Sequence, residues 1–87
     1  MKYETEFENS TLELVKRNTD KIVMRLKIET DPSLYDQELT LILPTLDNLS
    51  PVKILQDDFE GIIFQLSDKE FISNIKPIES SIVIYYK

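Results

Sequence analysis

Residues 21 to 29 read KIVMRLKIE. Ile22, Met24, Leu26 and Ile28 occupy the even positions; Lys21, Arg25, Lys27 and Glu29 share the odd ones with Val23. Successive side chains of a strand point to opposite faces, so this alternation makes one apolar and one charged face. On a helix the same residues would scatter around the whole surface. The stretch is therefore read as a strand with its even side chains turned to a core. Residues 11 to 17, TLELVKR, repeat the pattern with Leu12 and Leu14 inward. The polar connection Asn18 to Asp20 suits a hairpin between the two.

The same period continues in both directions. Residues 2 to 9, KYETEFEN, alternate Tyr3, Thr5 and Phe7 with Glu4, Glu6 and Glu8. Asp31 and Pro32 start a turn or a single helical turn. Residues 38 to 43, ELTLIL, put Leu39, Leu41 and Leu43 on one face, and Pro44 ends the run. Residues 52 to 56, VKILQ, offer Val52 and Ile54. DDFEG, residues 57 to 61, reads as a turn with Gly61 at positive φ. Ile62, Phe64 and Leu66 form the next inward set. Residues 81 to 86, SIVIYY, are apolar on both faces, as expected of an interior strand.

One segment breaks the period. In SDKEFISNIKP, residues 67 to 77, Ser67 and Glu70 stand at capping-box spacing, and Phe71, Ile72 and Ile75 at helical spacing. The pattern predicts one short helix near 68–75, with a strand through FISNI (71–75) as the alternative. Pro77 closes the segment.

About seven short strands joined by short connections predict an all-β chain, an antiparallel β-sandwich resembling the immunoglobulin and fibronectin type III architecture. The cystine and buried tryptophan of antibody domains are absent, so the expectation rests on architecture alone. The chain has 87 residues, which fits a single domain, 1–87, with a radius of gyration of about 12 Å. No linker or internal repeat divides it. The expected core comprises Tyr3, Phe7, Leu12, Leu14, Ile22, Met24, Leu26, Ile28, Leu39, Leu41, Leu43, Val52, Ile54, Ile62, Phe64, Leu66, Ile82 and Ile84.

Composition narrows the chemistry. There is no Cys and no His. Disulfides, thiolate nucleophiles and zinc or iron–sulfur sites are thereby excluded, along with the commonest general base. The single glycine, Gly61, rules out a glycine-rich phosphate loop. Ser33, Ser50, Ser80 and Ser81 have no histidine partner, and no motif supports a Ser–Lys dyad. No cofactor, metal or catalytic residue is expected, and the chain reads as non-enzymatic. No apolar run approaches the roughly 20 residues of a membrane-spanning helix. Early charges at Lys2 and Glu4 do not resemble a secretory leader. These features predict a cytosolic protein or a module of a longer chain.

Net charge is −6. Residues 1–30 are neutral, with six acids and six bases; residues 31–87 hold ten acids and four bases. Direct binding to nucleic-acid phosphates is disfavoured by this sign. The Glu4, Glu6 and Glu8 stripe could imitate phosphates, but Lys21, Arg25 and Lys27 balance it, so it reads as a solvated strand face. Asp57, Asp58 and Glu60 form an acidic turn without calcium-loop spacing. Tyr35, Tyr85 and Tyr86 could stack on a ligand, although Tyr85 and Tyr86 must face opposite ways. Asn9 and Asn48 match the glycosylation acceptor pattern, at a frequency chance would give.

The residues most suited to binding are then Tyr35, Asp36 and Glu38 in one connection and Asp57, Asp58 and Glu60 in another. The expected function is a binding or accessory module for a protein or carbohydrate partner, of the kind carried by bacterial surface and polysaccharide-active proteins. The alternative is a small acidic inhibitor, phage-like in kind, that occludes a basic nucleic-acid-binding groove.

Overall fold

In a computed structural model the protein is all-β, and the structure describes residues 10–28 and 38–87. The candidate strand 2–9, with Tyr3, Phe7 and the glutamate stripe, lies outside the described residues. So do Asn9, Ser33, Tyr35 and Asp36.

Among the described residues eight strands are formed: β1 (Ser10–Arg17), β2 (Lys21–Ile28), β3 (Leu39–Ile42), β4 (Pro51–Gln56), β5 (Phe59–Glu60), β6 (Ile63–Gln65), β7 (Phe71–Ile75) and β8 (Ser80–Tyr86). They make a five-stranded sheet, β1-β2-β8-β4-β5, and a three-stranded sheet, β3-β7-β6, with every pairing antiparallel. One apolar cluster lies between the sheets. Ile22, Met24, Leu26, Ile54, Ile82, Ile84 and Tyr86 enter it from the larger sheet; Leu39, Leu41 and Ile75 enter from the smaller. The radius of gyration is 12.3 Å.

Over the described residues 21–28 the alternation holds: Ile22, Met24 and Leu26 are fully buried, and the β1–β2 hairpin closes with the Asn18 amide donating to the Lys21 carbonyl at 2.8 Å. β8 lies between β2 and β4, as expected of a strand apolar on both faces.

The short helix expected near 68–75 is absent, and Phe71–Ile75 is the central strand of the smaller sheet. The capping-box residues do interact, since the Ser67 hydroxyl donates to Glu70 Oε1 at 3.2 Å. They close the turn between β6 and β7, where the Leu66 amide donates to the Glu70 carbonyl at 2.8 Å. Such a cap can open a helix or close a turn ahead of a strand. The chain continues as a strand because β7 is hydrogen-bonded by neighbours on both sides.

Gly61 is not at positive φ. Asp57 (φ 53°) and Asp47 (φ 50°) take that conformation, in two-residue turns where a short polar side chain tolerates it. Gly61 serves close approach instead: a Cβ there would lie 2.5 Å from the Asn74 carbonyl oxygen and from Ser73 Oγ. At this point the chain leaves β5 of the larger sheet for β6 of the smaller.

Five residues expected in the core are exposed: Leu14, Val52, Ile62, Phe64 and Leu66. The causes differ. In β4 the pairing slips between Pro51 and Lys53, so Val52 is an irregularity and Pro51 takes the inward place. In β1 the register holds through Leu14, which pairs with buried Met24 and so keeps the inward face; the slip comes after it, before Lys16. The exposure of Leu14 comes from its place on an edge strand of the five-stranded sheet, which is wider than the three-stranded one. In β6 the parity is inverted: Ile63 packs against the core, and Phe64 points out. Leu46, Ile75 and Tyr86 complete the core, and the Tyr86 hydroxyl donates to the Pro44 carbonyl.

Candidate binding surface

The inverted parity of β6 places apolar side chains on the outer face of the smaller sheet. Ile42 on β3 pairs with Ile72 on β7, and Ile72 pairs with Phe64 on β6. Residues directly opposite one another share a face, so these three form one row across all three strands. Ile62 and Leu66, two positions either side of Phe64, extend it along the β6 edge. Ile42 is 54% exposed, Phe64 51%, Ile62 60% and Leu66 62%; Ile72, in the middle, is half-buried by its neighbours. Lone exposed apolar residues are ordinary, but a contiguous group is not.

Asn74 cross-links the end of the patch. Asn74, on the same face, donates from Nδ2 to Glu38 at 2.9 Å and accepts at Oδ1 from the Ile62 amide at 2.6 Å. One side chain thus ties the start of β3 to the start of β6. Glu38 also pairs with Lys76 at 3.6 Å, and the Lys76 ammonium stands 5.0 Å from the centre of the Phe59 ring.

These contacts locate the other candidate residues. Lys76 joins Glu38 to the β4–β5 hairpin, so Glu38 lies at the same end of the molecule as Asp57, Asp58 and Glu60. Glu38 is occupied by Asn74 and Lys76, and Glu60 by Lys53 at 3.8 Å. Asp57 and Asp58 form the exposed turn. Tyr85 is partly exposed on the outer face of the larger sheet between Lys21 and Lys53, while Tyr86 is buried behind it.

A cleft of about 390 Å³ lies between the loop 43–51 and the turn 66–70, with Pro44, Pro51, Phe71, Asp47, Asp68 and Lys69 among its lining residues. Asp47, on the side of its loop that faces the β1–β2 hairpin, pairs with Arg17 at 3.6 Å. All ten described carboxylates are exposed, so none among the described residues sits in the apolar recess a general acid needs. No group of three or more metal-ligating side chains occurs among them. No helix among the described residues is long and apolar enough to cross a membrane, which leaves strand-built barrels unaddressed.

Compared with protein-family models, curated proteins and solved structures, the chain matches none. The row Ile42–Ile72–Phe64 went unseen in the sequence because Ile62, Ile63 and Phe64 are three apolar residues in succession, which allow either parity. The nearest signal was the excess of apolar residues over the core positions a three-residue strand can fill.

Proposed function

We propose that this protein is a non-enzymatic binding module that docks a protein partner on the outer face of its smaller sheet. The observation that carries the reading is the exposed, in-register row Ile42–Ile72–Phe64 with Ile62 and Leu66 at its margin. Interface centres are depleted of charge, more apolar than the remaining surface and enriched in aromatic side chains, and this row is uncharged, apolar and contains Phe64. The paired acids at the Glu38 end favour a rigid surface over a flexible binding loop.

The scaffold is a sandwich in the broad manner of immunoglobulin and fibronectin type III modules, with its own strand order. Its last strand, β8, is interior to the larger sheet, whereas the last immunoglobulin strand belongs to the CFG sheet. A place in a larger surface or polysaccharide-active protein accords with this reading. The phosphate-mimicking inhibitor draws no support from the described residues, which hold ten acids against nine bases; its Glu4, Glu6 and Glu8 stripe lies outside them.

The test is competitive capture from the cell of origin. A genuine partner is retained by the native protein and by Asp57→Ala with Asp58→Ala, and is lost with Phe64→Ser. Retention by Phe64→Ser and loss with the aspartate variant would return the binding site to the hairpin turn.

A further inference from the structure

The charges around the apolar row are unevenly distributed. At one end lie Glu38, Asp57 and Asp58, with Lys76 already paired to Glu38. At the other end lie Asp68 and Glu70, with Lys69 between them. Both ends of the molecule beyond the row therefore carry an acidic excess: Glu38, Asp57, Asp58 and Glu60 against Lys76 and Lys53 at one, Asp68 and Glu70 against Lys69 at the other. Lys21, Arg25 and Lys27 come from the larger sheet, where Glu79 and Glu13 partner the last two.

From this arrangement we infer that the occupant of the smaller sheet's outer face is a cationic, apolar-centred protein segment: a few large apolar side chains flanked on both sides by lysine or arginine. This inference rests on the docking reading above and names the partner's chemistry. A second copy of the chain is the wrong occupant, because it would set one acidic rim against another. An anionic membrane is wrong for the same reason. Charges at the rim of an apolar contact select the partner and speed encounter, while the apolar centre sets residence. With Lys76 held by Glu38, the rim offers its remaining carboxylates to incoming cations.

Two synthetic peptides test it. They share a central segment of alternating isoleucine and threonine around one phenylalanine, flanked by two lysines on each side in the first and by two glutamates in the second. Binding to the whole protein is followed by fluorescence anisotropy, and the site by amide chemical-shift changes. The lysine-flanked peptide should bind at least about tenfold more tightly than the glutamate-flanked one, because like charges across a contact are repelled. Raising the salt from low to several hundred millimolar should narrow that difference, since exposed charges are screened. Shifts should centre on Ile42, Phe64 and Ile72. Phe64→Asp should abolish binding even though it adds negative charge, and Phe64→Ser should do the same if the aspartate variant unfolds.

Equal affinity for both peptides, still dependent on Phe64, overturns the cationic partner but leaves the docking face. Binding indifferent to Phe64, or none by either peptide at millimolar concentration, overturns both. A Phe64-dependent dimer in sedimentation, or Phe64-dependent binding to phosphatidylserine vesicles, gives the face to another occupant and overturns the inference.

Discussion

The side chain of Gln56 pairs with the main chain of Lys76 as a neighbouring strand would. Its Nε2 donates to the Lys76 carbonyl at 2.8 Å, and its Oε1 accepts the Lys76 amide at 2.6 Å. Nε2 also donates to Ser80 Oγ at 2.8 Å, and that hydroxyl donates to the Ile78 carbonyl at 2.9 Å. Gln56 is 1% exposed. It belongs to β4 of the larger sheet, while Lys76 directly follows β7 of the smaller, so one buried amide fastens the two sheets at this corner.

Gln56→Ala should therefore cost far more than a surface substitution. It strands a main-chain donor and acceptor next to the core, and each unsatisfied buried group costs about 1–3 kcal/mol. A loss of about 2–4 kcal/mol is expected in urea unfolding. Gln56→Glu should lose at least as much, because it removes both Nε2 donors and turns a carboxylate toward the Lys76 carbonyl. A loss under about 0.5 kcal/mol for the alanine variant would show that the clamp is not a stabilising contact.

Gly61→Ala and Asp57→Gly should move stability in opposite directions. The alanine Cβ would meet the Asn74 carbonyl and Ser73 Oγ at 2.5 Å, and Ile54 Cγ2 at 2.9 Å, so the sheets must part to admit it. Overpacking of this kind costs about 1–3 kcal/mol. Glycine at position 57 relieves the positive φ of the native aspartate, and the gain should not exceed about 1 kcal/mol. Thermal unfolding of the two variants measures both. A neutral Gly61→Ala would mean the strands are not in this close contact.

The orientation of β6 is open to a simple comparison. Phe64→Ser should change stability by no more than about 1 kcal/mol, whereas Ile75→Ala or Ile84→Ala should each cost about 2–5 kcal/mol, because the last two are fully buried. A Phe64→Ser variant as unstable as the isoleucine variants would return Phe64 to the core and remove the apolar face.

The pairs Arg25–Glu79 (3.2 Å) and Lys27–Glu13 (3.3 Å) are exposed, and neither should matter much to folding. Arg25→Ala or Lys27→Ala should shift stability by at most about 1 kcal/mol, with no difference from the native protein surviving in molar salt. A larger, salt-resistant loss would assign these side chains a packing role across the sheet.

Much of the architecture could be read directly from residue order. The alternation in 21–29 needs only the geometry of an extended chain, and it placed Ile22, Met24 and Leu26 correctly. The hairpin at Asn18–Asp20, the strand end at Pro44 and the interior position of β8 rest on similarly local rules. Three-dimensional pairing was needed wherever local signals allowed two answers. Phe71–Ile75 could be helix or strand, and flanking by β3 and β6 made it a strand. Ile62-Ile63-Phe64 could face either way, and pairing with Ile72 turned Phe64 outward. The slipped register at Pro51–Lys53 moved Val52 outward and Pro51 inward without any mark in the residues, and the edge position of β1 left Leu14 uncovered. Parity belongs to one strand, but the face that becomes the inside depends on which neighbour it meets, and that is settled only when distant segments pack.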